Sequence, residues 1–434
     1  MPEQVTGYKC EACGGPLAFD AATGKLKCDY CQSLYSVEEV KARYAKENQQ
    51  IVDEAEGGAA VKDEYFNVAD GMKAYQCKSC GAELITDPTT TATSCPYCGN
   101  TAIIPQQMHD LMKPKFVLPF KVEKQAVVNK LSSYYKGKKL LPSSFGSTNH
   151  INEVKGVYVP FWLYSGTVEA DCTFNCEEVK ETKNETEKII TTKHYVVKRK
   201  GTCDFTNIPT DASNSMPDDL MDSIEPYDFK DLKNFEMEYL LGFIADKYDV
   251  EAKDCLGRAR SRAEESAIQA AADTVGNYDN VSEVRAARHV AYRKEKQEYA
   301  MLPVWLLSSQ WNGQNFLFAV NGQTGEMTGN LPVDKTKQLI FNLLWFLPEF
   351  ILISALMMGS GKTNWTGFLI AAIISLIIML ISNSMRVGSM RPVTRKRQAD
   401  NYLKAGADGS KIHLTIKEDT YTNTTVKKEP IRKN

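Results

Sequence analysis

The amino-acid sequence predicts a multidomain α+β protein, with two small β units, a larger α+β domain and a pair of long apolar helices. Three observations predict this fold class. Paired cysteines recur at one spacing in the N-terminal quarter, strand-like and helical patterns alternate through the middle of the chain, and two apolar runs follow near its end.

Length and composition narrow the possible classes. With 434 residues, of which 43% are hydrophobic and 24% charged, the chain has room for two or three domains with cores of their own. The formal net charge of -2 provides no overall basic field for nucleic acid. Met1–Cys10 has no apolar stretch typical of a cleaved signal peptide, so the apolar pair is expected to serve as its own insertion signal.

The cysteines form an internal repeat. Eight of the twelve occur as C-x2-C pairs, and fourteen residues separate the inner cysteines in both copies of the repeat. Each pair directs two thiolates to one point, and Gly14, Gly81 and Gly99 permit the tight backbone that this requires. Four thiolates suit a tetrahedral zinc ion. The predicted ligands are Cys10, Cys13, Cys28 and Cys31 for one ion, and Cys77, Cys80, Cys95 and Cys98 for the other.

Short strands joined by tight tips, with cysteine pairs at their ends, make a zinc ribbon. Ala22–Lys25 predicts the tip of the first ribbon, and Asp87-Pro88 predicts that of the second. Because all four ligands are Cys, no position remains for water, and both ions are expected to be structural. The alternatives are an iron centre with the same ligands and reactive redox pairs. Between the ribbons, Val37–Val61 is predicted to be a helix.

The segment from 115 to 335 is predicted to be an α+β domain. Gln125–Tyr135 and Glu251–Thr274 have helical spacing, and Pro217–Thr274 as a whole is predicted to be mostly helical. Asn-Gly turns fold Met301–Leu331 into a three-stranded meander. The charged run Glu177–Lys193 is interpreted as a hairpin tip or a mobile loop.

The same domain contains further cysteines and scattered histidines. Cys172 and Cys176 alternate with Phe174 along a predicted strand, so they point to one side. A third metal site that includes Cys203 or His194 is one interpretation, and buried core thiols are the ordinary one.

No nucleotide-binding or hydrolase motif occurs. We therefore predict no catalytic and no cofactor-binding residue, and expect the protein not to be an enzyme.

Two apolar runs predict a transmembrane hairpin. Leu339–Met358 has 20 residues, and Trp365–Ser382 has 18 residues without a charge. As helices they would each be about 27–30 Å long, which matches the hydrocarbon core of a bilayer. Gly359–Asn364 is long enough only for a tight turn. The alternative is a pair of core helices in a soluble protein.

Positive charge predicts the orientation of this hairpin. Lys335 and Lys337 precede it, and the turn contains only Lys362. The basic residues that follow it are Arg386, Arg391, Arg395, Lys396 and Arg397. By the positive-inside tendency, the protein is expected in the cell membrane with two passes and both termini in the cytoplasm.

Glu349 is the one charged residue within these runs, next to Pro348. This residue has three interpretations. Its carboxylate makes a polar contact with another membrane span, its carboxyl is protonated within the hairpin, or the hairpin enters one leaflet of the bilayer without crossing it.

The tail from 386 to 434 begins with a basic run that suits anionic lipid headgroups. Lys411–Lys417 and Tyr421–Val426 alternate as short strands that would pair with each other. A disordered tail is the alternative.

The full division of the chain is zinc ribbon 1 at 1–36, a helical linker at 37–70, zinc ribbon 2 at 71–110, the α+β domain at 115–335, the hairpin at 339–382 (spans 339–358 and 365–382) and the basic tail at 386–434.

The two four-cysteine ribbons, the run L-P-V-W-L-L-S-S-Q-W-N-G-Q-N-F within Leu302–Lys335 and the hairpin directly after it resemble bacterial membrane proteins of the YdjG type. Proteins of this type are often labelled as helicase-like or replication-restart zinc-ribbon proteins, although this chain has no motor motif. The resemblance implies a non-enzymatic membrane platform that recruits flotillin-like (SPFH) and phage-shock-like (PspA-like) coiled-coil proteins. It transfers ligand roles to the eight paired cysteines and nothing catalytic.

Two other functions compete with this membrane-anchored binding module. The first is nucleic-acid binding by the ribbons, which present Lys25, Lys27 and Tyr30, although Asp20 and Asp29 lie among them and leave no clean basic stripe. The second is an enzymatic activity of the middle domain, which is supported only by the size of that domain.

Overall fold

The computed structural model describes residues 8–43, 73–86, 94–100, 103–106, 112–145, 151, 153–184, 187–359, 365–390 and 412–430. Within them the protein is α+β, with one three-stranded and one thirteen-stranded sheet. Several predicted features lie outside the described residues: 44–61 of the predicted linker helix, the turn at Asp87-Pro88, the link at 360–364 and the basic residues from 391 to 397.

The N-terminal sheet consists of three antiparallel strands in sequence order: β1 (Leu17–Asp20), β2 (Lys25–Cys28) and β3 (Leu34–Tyr35). The tip between β1 and β2 contains Gly24 at a φ of 66°. There the Thr23 hydroxyl donates a hydrogen bond to the Asp20 carboxylate at 2.7 Å. The tip predicted at Ala22–Lys25 is therefore present, and the left-handed backbone explains its glycine.

Residues 37–43, named α1, are helical and follow this sheet. Ser36 and Glu39 form a capping box at its start. The Glu39 carboxylate accepts a hydrogen bond from the Ser36 N–H at 2.7 Å, and the Ser36 hydroxyl oxygen accepts one from the Glu39 N–H at 3.1 Å. Val37 and Val40 are buried in the core that the small sheet shares with the rest of the protein.

The second cysteine unit belongs to the large sheet. Its strands are β4 (Lys73–Cys77), β5 (Glu83–Thr86) and β6 (Ile103–Gln106). β5 pairs antiparallel with β11 (Ile244–Asp246), and β11 pairs in parallel with β8 (Lys155–Lys183). Continuous backbone pairing therefore joins this unit to the middle of the chain, whereas the first unit has a sheet of its own.

Three long strands form the centre of the large sheet: β8, β9 (Glu187–Asp211) and β13 (His289–Trp311). β8 pairs antiparallel with both β9 and β13. The run Glu177–Lys193 is thus the end of the β8–β9 hairpin, which was one of its two predicted interpretations. Cys172, Phe174 and Cys176 are all buried on one side of β8, as their alternation predicts.

A meander follows β13, as predicted for Met301–Leu331. It contains β14 (Gln314–Asn321) and β15 (Met327–Gly329), both antiparallel to their neighbours. Asn312 and Gly313 have φ values of 50° and 74°, the left-handed pair that a two-residue Asn-Gly hairpin turn requires. The remaining short strands of the sheet are β7 (Phe116–Val117), β10 (Lys233–Asn234) and β12 (Asn280–Glu283).

Three helices accompany the large sheet: α2 (Lys124–Tyr135), α3 (Asp218–Ser223) and α4 (Ala252–Ala272). α2 and α4 confirm the two helices predicted from spacing. On α4, Ala259, Ala263 and Ala267 are fully buried at four-residue spacing and belong to one core with side chains of β8 and β9. Their small size permits a close approach of the helix to the sheet.

The prediction that Pro217–Thr274 is mostly helical is wrong between α3 and α4. This stretch contains 3-10 turns at Phe229–Asp231 and Met237–Leu240, and then the strand β11. The apolar residues around Gly242, which has a φ of 82°, enter the sheet between β5 and β8. Two available strand edges outweigh local helix propensity here.

Two apolar helices follow the meander: α5 (Lys335–Gly359) and α6 (Trp365–Gly388). By length and composition, each could cross a membrane. Gln338 donates a hydrogen bond to Asn383 at 2.9 Å, and Arg386 donates one to Asn342 at 3.0 Å, so the helices lie side by side and antiparallel. In α5, Glu349 has a buried carboxylate oxygen without a hydrogen-bond partner among the described residues.

The described part of the tail is one strand, β16 (His413–Pro430), which pairs antiparallel with β9. The predicted hairpin of two short strands is therefore wrong, because a bulge at Thr422 stands where a turn was expected. Arg199 of β9 is fully buried and anchors the tail strand. It donates hydrogen bonds to Asp419 at 2.5 Å and to Thr274 at 3.1 Å.

Candidate metal centres

All four C-x2-C pairs form the same backbone turn. The first Cys accepts a hydrogen bond at 2.8–3.0 Å from the N–H of the residue after the second Cys, and its own N–H donates to the carbonyl five residues on at 2.7–3.0 Å. The residue after the pair is Gly14, Gly81 or Gly99 in three turns, with φ values of 72°, 80° and 70°. In the fourth turn it is Gln32, with a φ of 61°.

These turns gather the eight predicted ligands into the two predicted sets. Within each set, all four sulfur atoms lie within 4.8 Å of one another. The shortest distances are 3.4 Å and 3.5 Å in the first set and 3.6 Å twice in the second. A tetrahedral ion with metal–sulfur bonds of about 2.3 Å places its sulfurs about 3.8 Å apart. Each set therefore fits one four-coordinate metal ion.

The first centre lies at the edge of the protein. One cysteine of each of its pairs is buried and the other is exposed. The Tyr35 hydroxyl lies 3.3 Å from Cys10 Sγ, and this hydrogen bond lowers the pKa of the Cys10 thiol to about 6. The Ser33 hydroxyl lies 3.2 Å from Cys31 Sγ and lowers the pKa of that thiol. Both effects favour the thiolate, which is the form that binds a metal.

The first unit packs against the segment around Gly242 and shares a hydrophobic core with it. The Phe19 N–H donates a hydrogen bond to the Leu241 carbonyl at 3.0 Å, and the Phe19 ring lies 5.4 Å from the Tyr239 ring. A side-chain carbon at Gly242 would come within 3.0 Å of Ala18, so the two backbones pack closely. The unit thus docks through β1, which is an edge strand of its sheet.

The second centre is more deeply enclosed. Cys77, Cys95 and Cys98 are buried, and only Cys80 is exposed. Burial raises the pKa of the Cys80 thiol to about 11, and it raises the pKa of Cys95 further still. At Cys77, backbone hydrogen bonds from Cys80 and Ser79 outweigh burial and lower the pKa of the thiol. Burial thus opposes the free thiolate at Cys80 and Cys95, where a bound cation would compensate for the charge.

Side chains of β8 and β13 donate hydrogen bonds to backbone carbonyls of the second centre. The Ser308 hydroxyl donates to the Tyr97 carbonyl at 3.0 Å, and the Gln310 amide donates to the Cys98 carbonyl at 3.1 Å. The Lys155 ammonium donates to the Ser94 carbonyl at 2.7 Å. The C-P-Y-C turn is thus fixed by the sheet on which it lies.

A buried carboxyl lies beneath this turn. Asp246 ends β11 at 1% exposure and accepts a hydrogen bond from the Ser213 hydroxyl at 2.6 Å. Burial raises the pKa of Asp246 to about 7. Burial, together with the neighbouring Asp246 charge, also raises the pKa of Tyr97 well above its usual range.

Sequence reasoning identified the ligands and missed their supports. The left-handed Gln32 was detectable, because Gln stands where the other three turns have Gly. Ser308 and Gln310 were not, since they lie 211 and 212 residues from the carbonyls that they bind. The third metal site is not formed among the described residues, where only the two sets satisfy the geometry and Cys172 and Cys203 are core thiols.

Two four-cysteine clusters, one large sheet with its helices and a pair of apolar helices define an α+β protein with two candidate metal sites and two candidate membrane spans. The chain belongs to the YdjG family. It is 33% identical over 333 residues to the uncharacterized protein YdjG of Bacillus subtilis (strain 168), a match that covers 77% of this chain and 92% of that protein. No model of a known protein family matches the chain, and no solved structure matches it.

Proposed function

We propose that this protein is a non-enzymatic, membrane-anchored zinc-ribbon scaffold that recruits cytoplasmic proteins to the cell membrane in envelope stress. The observation that carries the proposal is the pair of apolar helices. They are attached to a folded part of the chain that contains both four-cysteine centres. An anchor and a set of rigid surfaces are the two parts that a recruiting platform needs.

Side-chain exposure along the apolar helices supports the membrane anchor. Leu339, Ile351 and Leu356 are 61%, 65% and 66% exposed, as are many other large apolar side chains of both helices. The buried positions of α6 are small residues, which suits close packing of two helices in lipid; they are Gly367, Ala371 and Ser375. Soluble proteins rarely expose so large an apolar surface, and a bilayer would cover it.

We assign a structural zinc ion to each four-cysteine centre. Four thiolates fill a tetrahedral shell and leave no position for water or substrate, which is the arrangement of structural zinc sites. Elemental analysis of the purified chain should find about two zinc ions per protein by this stoichiometry. Iron in place of zinc, or a single ion, would contradict the assignment.

Both termini are proposed to lie in the cytoplasm. The described ends of the two apolar helices that carry Lys335, Lys337 and Arg386 are the ends attached to the domain, in accord with the positive-inside tendency. A reducing cytoplasm also suits a domain with buried free thiols such as Cys172 and Cys203.

Cysteine labelling in intact cells tests this topology. A Thr363→Cys variant should react with a membrane-impermeant thiol reagent added outside. Its matched control, Lys253→Cys on the exposed surface of α4, should react only after lysis. If the Thr363→Cys variant stays unlabelled until lysis, the hairpin does not span the membrane.

The proposed partners are flotillin-like (SPFH) and phage-shock-like coiled-coil proteins, and support for them comes from the family resemblance alone. The test is affinity purification from gently solubilised membranes, beside a variant with Cys77, Cys80, Cys95 and Cys98 changed to Ser. A partner of either class that is lost in the variant would support recruitment through the second centre. Recovery of nuclease-sensitive replication or transcription components would favour nucleic-acid binding instead.

A further inference from the structure

Basic side chains collect where the apolar helices meet the folded domain. The Lys138 ammonium donates to the Ser389 carbonyl beyond α6, and the Lys337 ammonium of α5 donates to the Leu141 carbonyl at 2.6 Å. These bonds connect the segment after α2 with both apolar helices. We name the resulting cluster the basic collar; its members are Lys136, Lys138, Lys139, Lys335, Lys337 and Arg386.

Within the described ranges, no carboxylate forms an ion pair with a side chain of the collar. Among the described residues, the hydrogen-bond partners of its members are neutral oxygens, such as the carbonyl of Leu141 and the amide of Asn342. Asp334 provides one carboxylate nearby, which caps α5 by accepting hydrogen bonds from the backbone N–H groups of Thr336 and Lys337 and offsets part of the positive charge.

Three arginines elsewhere in the domain show what a neutralised cation looks like in this protein. Arg258, Arg262 and Arg288 each bond to carboxylates at 3.0 Å or less. Two collar residues, Lys136 and Lys139, are exposed and have no ion pair within the described part of the chain. Six cations and one nearby carboxylate, Asp334, give this part of the described chain an excess of positive charge, which favours an anionic ligand.

The position of the collar indicates which anion. Exposed apolar side chains begin at Leu339, two residues after Lys337, and on α6 they reach Met385, directly before Arg386. The Arg386 guanidinium also lies 5.9 Å from the Trp345 ring, and Trp is typical of the headgroup level of a membrane. The collar therefore stands where lipid phosphates would lie if α5 and α6 are in a bilayer.

We propose that the basic collar binds the phosphate groups of anionic phospholipids. The inference rests on the proposed membrane anchor and adds a lipid class to it. Because three collar residues come from the segment after α2, bound lipid would also fix the orientation of the domain over the membrane. Each cation is expected to strengthen binding of an anionic lipid about fivefold.

The test uses the full chain in nanodiscs of phosphatidylcholine with a minor share of phosphatidylglycerol. Native mass spectrometry of retained lipid compares wild type with the double variant Lys136→Gln/Lys139→Gln and with the triple variant that adds Arg386→Gln. The matched control is Lys180→Gln/Lys253→Gln, two exposed lysines of β8 and α4. We expect the double variant to lose at least about tenfold of the preference for phosphatidylglycerol, the triple variant more, and the control none.

An unchanged preference in the triple variant would overturn the collar as the lipid site. Flotation with vesicles, measured on the same samples, separates this result from failure of the anchor. Chains that do not float at all overturn both proposals, whereas chains that float without any preference for phosphatidylglycerol overturn the collar alone. Displacement of the lipid by soluble glycerol phosphate would assign the collar to a soluble phosphate compound and overturn the lipid assignment.

Discussion

The two four-cysteine centres share a sequence pattern and a sulfur geometry, and they differ in what surrounds them. The first lies on a three-stranded sheet of its own, with an exposed cysteine in each pair. The second continues into the thirteen-stranded sheet through the pairing of β5 with β11, and only Cys80 is exposed. A repeat in the sequence has therefore become two different structural units.

This difference predicts different effects of metal binding at the two centres. Loss of metal from the first unit should affect mainly that unit, because none of its strands pairs with a strand of the large sheet. Loss of an ion from the second unit leaves three buried cysteines, Cys77, Cys95 and Cys98, beside strands of the main sheet. The second centre is thus expected to stabilise the whole domain, and the first mainly its own unit.

Disrupting each centre in turn should give the largest difference in thermal stability between the two centres. Cys77→Ser/Cys95→Ser should lower the melting temperature of the middle domain by about 10 °C or more, since metal-ligand energy of several kcal/mol is also folding energy. Cys10→Ser/Cys28→Ser should leave that transition within about 2 °C of wild type. Calorimetry of the full chain in detergent, with zinc content measured in parallel, provides the comparison.

Each variant in that experiment should retain about one zinc ion, which confirms that the other centre is still folded. Equal shifts of the main transition in both variants would contradict the distinction between the two units.

The buried carboxyl beneath the second centre gives a pH-dependent difference. The folded-state pKa of Asp246 is raised to about 7, above an unfolded value of about 3.9. The folded state therefore holds more protons between these values, so this group makes stability fall as pH rises from about 4 to about 7. Asp246→Asn should remove that fall, by up to about 4 kcal/mol, while the amide oxygen still accepts from Ser213.

Denaturant unfolding of wild type and the Asp246→Asn variant at several pH values measures this difference. Glu225, whose pKa burial also raises to about 7, is present in both proteins, so only the gap between the two curves is informative. A gap that stays constant from pH 4 to pH 8 would mean that Asp246 is ionised throughout.

The attachment of the second centre to β13 gives a smaller effect. Ser308→Ala/Gln310→Ala removes two hydrogen bonds to the C-P-Y-C carbonyls and should cost about 1–3 kcal/mol. Release of zinc to a chelator should then accelerate for the second centre. The first centre, in the same molecule, is the control, and its release rate should not change. Acceleration of both rates would indicate general loosening of the fold.

Local signals in the sequence predicted local structure well. The Asn-Gly turn at Asn312-Gly313, the spacing in Gln125–Tyr135 and the cysteine pairs each depend on neighbours in the chain, and each is present as predicted. What failed depends on distant partners. β11 is a strand because β5 and β8 lie on either side of it, and the tail is a single strand because β9 provides a long edge for it.

The same distinction applies to the metal centres. The ligand sets follow from spacing, since a C-x2-C turn is closed by its own backbone hydrogen bonds. The supports of the second centre come from β13, which the topology alone brings near, and nothing close to the cysteines indicates them. The one local exception is Gln32, where a departure from the repeat marks a strained residue.

The smallest expected effect comes from Gln32, whose turn can be compared with the three equivalent turns of the cysteine pairs. It has a φ of 61°, where a side chain costs about 1 kcal/mol, whereas the three equivalent turns have Gly. Gln32→Gly loses one side-chain hydrogen bond, to the Asp29 carbonyl at 2.9 Å, and relieves that strain. The lost bond offsets about 0.5 kcal/mol of this relief. We expect a net gain of about 0.5 kcal/mol in the first unit, seen as a roughly twofold higher affinity for Co²⁺.

The reciprocal change, Gly14→Gln, is the matched control, because Gly14 has a φ of 72° and open space where a side chain would begin. It should weaken Co²⁺ binding at the first centre by a similar factor, for the same backbone reason. The second centre should be unaffected by either substitution, since its turns and its supports are separate. Weaker Co²⁺ binding by the Gln32→Gly variant would show that the bond to Asp29 stabilises the turn more than its left-handed backbone costs.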